Sequence, residues 1–399
     1  MSWITSEQAL AILKVQPQTL YANVSRGKIR TRPSPEDTRR SLYHGDDVKA
    51  LASRNAGRRS VAEVATHTIS FGEPVLASGI STIAEGRLWY RGEDAAAMAE
   101  HATLETVAAL LWQAERVTFE APPTARGTPV PSNPFEAGLL ALARRASHDF
   151  PTGGRSRTML RREAAGLVGT LATATLGGTA QAGLPLHERV AQAWKAPGAL
   201  DLIRRVLVLL ADHELNASTF AARTAASTGA PLAAGLLAGL STLAGPLHGG
   251  AALGVQALAD ATGRIGARRA VHDWLSRGHR LPAFGHPLYP EGDVRAQALL
   301  AQFELPAAFA ELREAVAALS DEPPNVDFAL AALADACRLP ANAPLALFAI
   351  ARSVGWIAHM LEQTERGGLI RPRAQYDGPA LKDVTRSLPH GAGGGSGRA

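Results

Sequence analysis

Several short stretches of this chain place ionisable residues where an ordinary helix or strand would not put them. Gly245-Pro246-Leu247-His248-Gly249-Gly250 surrounds His248 with residues that cost helix stability and let backbone or a ligand come close. A purely structural histidine does not need that setting, although a close helix–helix crossing would also use the glycines. Phe284-Gly285-His286-Pro287-Leu288-Tyr289 again sets a histidine beside glycine and proline, and Gly292-Asp293-Val294-Arg295 follows. Asp212-His213-Glu214 precedes a helical run. It does not read as a metal site, because neighbours on a helix point about 100° apart and cannot converge on one ion. His213 could equally be a hydrogen-bonded core residue.

Pro324-Asn325-Val326-Asp327-Phe328 puts an acid after a proline turn and directly before an apolar helix. Buried there, Asp327 would have a raised pKa suited to proton abstraction; the alternative is a helix N-cap. Arg352 stands in the apolar run Ala351-Arg352-Ser353-Val354-Gly355-Trp356. A buried arginine needs an anionic partner, from the protein or from a ligand. Arg371 and Arg373 lie in a loop.

These residues must be carried by a largely helical body. From Asp94 onward the pattern is helical, punctuated by Pro122-Pro123, Asn133-Pro134, Gly245-Pro246 and Pro323-Pro324. Residues 61–90 read as short extended pieces. No strand–helix alternation of the kind that builds a parallel sheet appears. Two uncharged stretches, Ala164–Leu186 and Thr224–Leu247, are long enough to span a bilayer. Both are rich in Ala, Gly, Thr and Ser and interrupted by Pro185 or Pro231, so they are expected to be packed core helices and not membrane spans. Cys337 is the only cysteine, which excludes an internal disulfide framework. The start lacks a basic region followed by an apolar one, and a cytoplasmic protein is expected.

The basic balance sits at one end. Residues 1–60 hold 11 of the 41 Lys and Arg but only 5 of the 36 Asp and Glu, leaving 30 basic against 31 acidic residues elsewhere. That points to a polyanionic partner for the first segment alone, unless the arginines merely solvate its surface. Thr5 and Gln8 have capping-box spacing before an apolar run. Pro17 to Gly27 reads as a second helix, Lys28–Arg32 and Arg39–Tyr43 as strands, and Asp46-Asp47 as the start of a last helix. This order resembles the MerR-like, excisionase-type helix-turn-helix with a small wing, over residues 1–54. The resemblance implies Gln18, Tyr21, Asn23 and Ser25 for base contact, and Arg30, Arg32, Arg39 and Arg40 for phosphates. A structural or protein-binding appendage is the alternative. Residues 55–60 read as a basic linker and 386–399 as a flexible tail.

Six stretches together, at residues 211–223, 245–251, 284–289, 324–328, 353–359 and 371–376, resemble citrate synthase in order and spacing. The resemblance implies a mainly α-helical, homodimeric fold with a large and a small domain over residues 61–385, the small one at about 251–345. It implies that Asp327 removes a methyl proton from acetyl-CoA, that His248 stabilises the enol, and that His286 polarises the oxaloacetate ketone and protonates the alkoxide. His213, Arg295 and Arg352 would bind oxaloacetate, with Arg371 supplied by the other subunit. Leu281, Pro282, Ala283, Phe284, Gly285 and Asn325 would cradle CoA. No metal or tightly bound cofactor is implied. The chain departs from the family at Pro290, where many members carry a basic residue, at Val294 for the proline of Asp-Pro-Arg, and at Ala283 for a glycine. Other readings are 2-methylcitrate synthase using propionyl-CoA, a DNA-binding regulator whose body senses a metabolite, and a reverse citryl-CoA cleavage.

Overall fold

The structure, a computed structural model, describes residues 3–13, 19–20, 23–24, 29–33, 41–45, 47–48, 76–120, 131, 133–178, 183–374, 376 and 378–379. The chain forms two units, Met1–Leu76 with Pro372–Ala399, and Ala77–Arg371.

In the first unit, β1 (Trp3–Ile4), α1 (Ser6–Leu13), β2 (Thr31–Pro33) and β3 (Ser41–His44) surround a small core of Ala9, Leu13, Leu20, Ile29, Tyr43 and Val48. The strands form an antiparallel sheet in the order β1-β3-β2, with Trp3 opposite His44 and Thr31 opposite Tyr43. The capping box is present. The Thr5 N–H donates to Gln8 Oε1 at 3.0 Å, and the Gln8 N–H to Thr5 Oγ1 at 3.3 Å. Strand β2 begins at Thr31, within the Lys28–Arg32 stretch that the sequence pattern marks as extended, and β3 spans Ser41–His44. Asp47 accepts from the Arg30 backbone N–H at 3.0 Å and from its guanidinium at 2.7 and 2.8 Å, while the Arg30 carbonyl accepts from the His44 N–H at 2.9 Å. Gln18, Tyr21, Ser25, Arg39, Arg40, the 55–60 linker and the 386–399 tail lie outside the described residues.

The second unit opens with a meander of β4 (Ser81–Ala84), β5 (Arg87–Tyr90) and β6 (Glu93–Asp94). Its two-residue turns, Glu85-Gly86 and Arg91-Gly92, take positive φ at every position, as tight hairpins demand. Helices follow: α2 (Ala95–Ala99), α3 (Leu104–Trp112), α4 (Pro134–His148), α5 (Arg157–Thr175), α6 (Leu186–Ala193), α7 (Leu200–Leu209), α8 (Ala217–Ser227), α9 (Leu232–Leu243), α10 (Ala251–Ile265), α11 (Ala267–Ser276), α12 (Val294–Leu300), α13 (Ala307–Ala317), α14 (Val326–Ala336) and α15 (Ala343–Arg366). The unit is mainly α with two apolar cores. The larger is centred on α15 and the helices packed around it. The smaller joins α10, α11, α13 and α14 through Val255, Val271, Phe309 and Phe328.

Neither uncharged stretch is one continuous helix. Pro185 precedes α6 and Pro231 precedes α9, each ending the apolar run before it and starting the next helix. Among the described residues, α15 is the helix long and apolar enough to cross a bilayer, and 89% of its apolar window is buried inside the protein. Small residues let it be buried so deeply. A side chain on Gly239 of α9 would strike the Trp356 ring, and one on Gly355 would strike the Asp212 carboxylate. Gly355 therefore fixes how closely α15 approaches the segment after α7.

Candidate active site

The segment that ends α7 leaves helix geometry at Leu210, and its backbone groups need partners from elsewhere. The Tyr90 hydroxyl lies 3.0 Å from the Val208 carbonyl and 3.1 Å from that of Leu209, and accepts from the Asp212 N–H at 3.3 Å. Arg352 Nε donates to the Leu210 carbonyl at 2.8 Å, and the Gly355 N–H to the Ala211 carbonyl at 3.0 Å. Strand β4 completes the clamp. Ser81 Oγ donates to the Asp212 carboxylate and accepts from the Glu214 N–H, and the Ile83 N–H donates to Glu214 Oε1. With both sides held, Glu214 takes φ 52° and His213 is buried with Nε2 at 3.0 Å from the Tyr289 hydroxyl. Its ring meets His286 edge to face, centroids 5.2 Å apart.

Burial and the nearby arginines depress all three histidines, His213 well below its ordinary value and His248 and His286 to about 4. They are neutral at neutral pH, so the position of one proton on each ring matters. For His286 the Leu288 N–H donates to Nδ1 at 3.2 Å, leaving Nε2 to carry the hydrogen. For His248 the partner is Ser218, whose Oγ lies 2.8 Å from His248 Nε2, 2.8 Å from Asn216 Oδ1 and 3.1 Å from Trp356 Nε1. The indole can only donate. The single serine proton therefore goes to Asn216 or to His248, and that choice sets which imidazole nitrogen bears hydrogen. Ser218 was not singled out from the sequence; an unmarked serine at the start of a helix carries no signal of this kind.

Asp327 begins α14, but the cap is Asn325, whose Oδ1 accepts the Asp327 N–H at 3.0 Å. The N-cap alternative for Asp327 is thereby removed, and its carboxylate is free for other work. Asp327 Oδ1 is enclosed without a hydrogen-bond partner. Burial pushes the carboxyl from 3.8 up to about 6, against the pull of Arg295 and Arg352. The neighbouring Asp293 is the opposite case. Its carboxylate caps α12, receives Arg295 at 2.9 and 2.8 Å, and accepts the Val326 N–H at 3.0 Å. Its pairing with Arg295 outweighs burial and lowers its pKa. Val294 is the first residue of α12, a position where proline's missing N–H costs nothing and valine fits equally.

Arg352 is the exception to this pairing. It is 1% exposed, with Nε on the Leu210 carbonyl, yet Nη1 and Nη2 have no partner. The Phe348 ring lies 4.8 Å below its guanidinium. Burial pulls its pKa down to about 10, while Asp212 holds it up. Two buried cationic donor groups without a partner among the described residues suit an anionic ligand.

The stretch Leu281–Gly285 pairs with the turn before α14. Phe284 bridges Pro324, the Gly285 N–H donates to the Pro323 carbonyl at 2.8 Å, and Asn325 Nδ2 donates to the Gly285 carbonyl at 3.0 Å. Phe284 is anchored edge to face on Phe328, while Leu281 and Pro282 remain partly exposed. Ala283 has φ 63°, a conformation that costs a non-glycine residue about 1 kcal/mol, so this loop suits glycine better than alanine. Pro290 and Arg371 are exposed. The structure thus brings together His213, His248, His286, Asp327, Arg295 and Arg352, and leaves Arg371 outside that cluster. Of the residues in the first unit, Asn23 Nδ2 donates to the Thr19 carbonyl, Arg30 is committed to Asp47, and Arg32 stacks 4.5 Å over Trp3. Among the described residues no three His, Cys, Asp or Glu side chains are grouped to hold a metal ion.

Comparison with known proteins agrees with this geometry. The family model "Citrate synthase, C-terminal domain" matches residues 70–373. A putative citrate synthase 2 of Mycobacterium tuberculosis is 42% identical over 197 residues, covering 46% of this chain and 52% of that protein. The chain thus spans about half the length of the curated relatives it matches. Among solved structures, citrate synthase from Thermotoga maritima is 26% identical with a TM-score of 0.63, covering 79% of this chain and 97% of that one. The citrate synthase of Thermoplasma acidophilum, in ternary complex with carboxymethyl coenzyme A and oxaloacetate, is 25% identical with a TM-score of 0.65, covering 80% and 97%.

The raised Asp327 carboxyl has a consequence for stability. Its folded pKa of about 6 lies above the ordinary 3.8, so between these values the folded state binds more protons and stability falls as pH rises. Asp327→Asn should therefore unfold at a higher temperature than the wild type at pH 7, and the gap should close as pH falls through that window to 4. A gap independent of pH would show that Asp327 is not a destabilised carboxylate.

Proposed function

The chain belongs to the citrate synthase family, and from that premise we propose that it condenses an acyl-CoA with oxaloacetate. The observation that carries the reading is Arg352, a buried cation with two unpartnered nitrogens, within electrostatic reach of a carboxyl whose pKa is raised. The first suits a carboxylate of oxaloacetate, with His213 and Arg295 as its companions. The second suits removal of a methyl proton from the thioester by Asp327. The enol carbon then attacks the ketone carbon of oxaloacetate, and His286 Nε2–H delivers its proton to the new alkoxide. His248 donates to the thioester oxygen from Nδ1 once Ser218 turns its own proton to Nε2. Hydrolysis of the resulting thioester releases citrate and CoA. Such an enol forms only where donors are fixed in advance and water is kept out. Leu281–Gly285 and Asn325 are assigned to CoA, residues 251–345 to the small domain, and Arg371 to the site of the other subunit in a homodimer. A cytoplasmic location accords with the lone, unpaired Cys337.

The acyl chain is the finer question. One methylene is worth about 1–3 kcal/mol in an apolar pocket, so propionyl-CoA, giving 2-methylcitrate, is the alternative substrate. Purified protein given oxaloacetate with acetyl-CoA or propionyl-CoA should release free thiol. Asp327→Asn should lower kcat by roughly 10²–10⁴-fold. Absence of thiol with both thioesters would overturn the condensation reading.

For residues 1–54 we propose a winged helix-turn-helix that contacts DNA. The concentration of basic residues and the capped α1 with its three-stranded sheet support it. Gln18, Tyr21 and Asn23 are the proposed base contacts. Arg32 is the better phosphate ligand on the wing, since Arg30 is already paired with Asp47. Full-length protein should bind duplex DNA with affinity falling steeply as salt rises, and protein lacking residues 1–59 should not. Equal weak binding by both forms would leave the segment without a nucleic-acid role.

A further inference from the structure

A second collection of arginines lies outside the residues assigned to substrates. Arg91, Arg157 and Arg366, with Gln113, Glu362 and Glu365, line a cleft of about 160 Å³ between α3, the start of α5 and the end of α15. The two acids are already engaged. Glu362 accepts from Arg223 at 2.7 Å, from the Gly79 N–H at 2.8 Å and from Arg366 at 3.0 Å, and Glu365 pairs with Arg157. Arg91 has one hydrogen bond, from Nε to the Leu111 carbonyl at 2.9 Å, and among the described residues no carboxylate lies within ion-pair distance of it. On α5, Arg161 keeps a buried Nε without a partner.

The resulting charge is unbalanced. Three guanidinium groups, Arg91, Arg157 and Arg366, line the cleft with two carboxylates, and Arg161 is near enough to Arg91 and Arg157 for all three to repel one another. Arg157 stands in the first turn of α5, where the helix end is itself positive and the turn holds no acid, and Arg161 follows one turn later. Arg91 occupies a position of the β5–β6 hairpin turn with φ 48°. Cations crowded in this way around a cleft suit an oxyanion ligand.

We propose that this cleft is a second anion site, distinct from the one at Arg352. Its volume is that of a cavity that holds a six-atom ring, which fits a phosphate group or a short dicarboxylate. Guanidinium forks recognise both oxyanions. The cleft is also wired to the substrate site. Glu362 binds Arg223, Arg223 Nη1 lies 3.2 Å from His359 Nδ1, and His359 Nε2 lies 3.3 Å from Asp212, the residue before His213.

Calorimetric titration tests the site with inorganic phosphate in one series and malonate in another. Full-length protein is used, and again as Arg352→Met, in which the substrate pocket has lost its free cation; no oxaloacetate is added, since a dicarboxylate would itself compete for the cleft. At least one anion should bind saturably in both backgrounds, and the tighter of the two identifies a phosphate or a dicarboxylate ligand. Arg91→Ala should weaken that binding at least tenfold. Arg157→Gln, on the more exposed rim, should weaken it severalfold and carries the comparison if Arg91→Ala fails to fold by circular dichroism. No saturable binding of either anion, or affinity unchanged in the folded variants, would overturn the proposal.

Discussion

A guanidinium with nothing to hold sits at the centre of this protein. Removing an ion from water costs several kcal/mol even after relaxation, and Arg352 recovers only part of that from the Leu210 carbonyl, the face of Phe348 and the field of Asp212. The rest of the large core is arranged so that this cost can be borne. Asp212 must stay ionised and close without consuming the free donors, and it is held there by Ser81 and His359. Gly355 must remain a glycine, because any side chain would occupy the place of the Asp212 carboxylate. Residues that bury α15 thus also keep its one central cation available.

Two neighbouring carboxylates show how environment divides the labour. Asp293 is buried with a bidentate arginine and two backbone N–H groups and remains an anion. Asp327 lacks a partner for Oδ1 and leans toward its protonated form. Opposed shifts in adjacent groups of one chemical type show how surroundings alone divide two carboxylates. The same carboxylate of Asp293 ties the starts of α12 and α14 together, so the element bearing Arg295 and the one bearing Asp327 share a single anchor.

Much of this was legible in the sequence because it depended on local chemistry. Glycine and proline around His248 and His286 marked loops, an arginine inside an apolar helix marked a buried charge, and Thr5 with Gln8 marked a helix start. What was hidden depends on meetings between distant segments. Nothing near Ser218 announces that Trp356 and His248 will converge on it, and nothing near Tyr90 announces the end of α7. Nothing near Arg30 announces that Asp47 will take both its backbone N–H and its guanidinium. Asp327 read equally as cap or base until Asn325 was seen to take the cap, a distinction of two residues that spacing alone does not make.

Thermal unfolding of wild type and Arg352→Met, each with and without oxaloacetate, tests the central claim most directly. If Arg352 is a buried cation waiting for an anion, oxaloacetate should raise the wild-type Tm strongly by binding only the folded state. The methionine variant should be no less stable than the wild type without ligand, since an apolar side chain replaces an uncompensated charge, and oxaloacetate should leave its Tm unchanged. A variant whose Tm rises with oxaloacetate as far as the wild type's would show that the anion is held elsewhere.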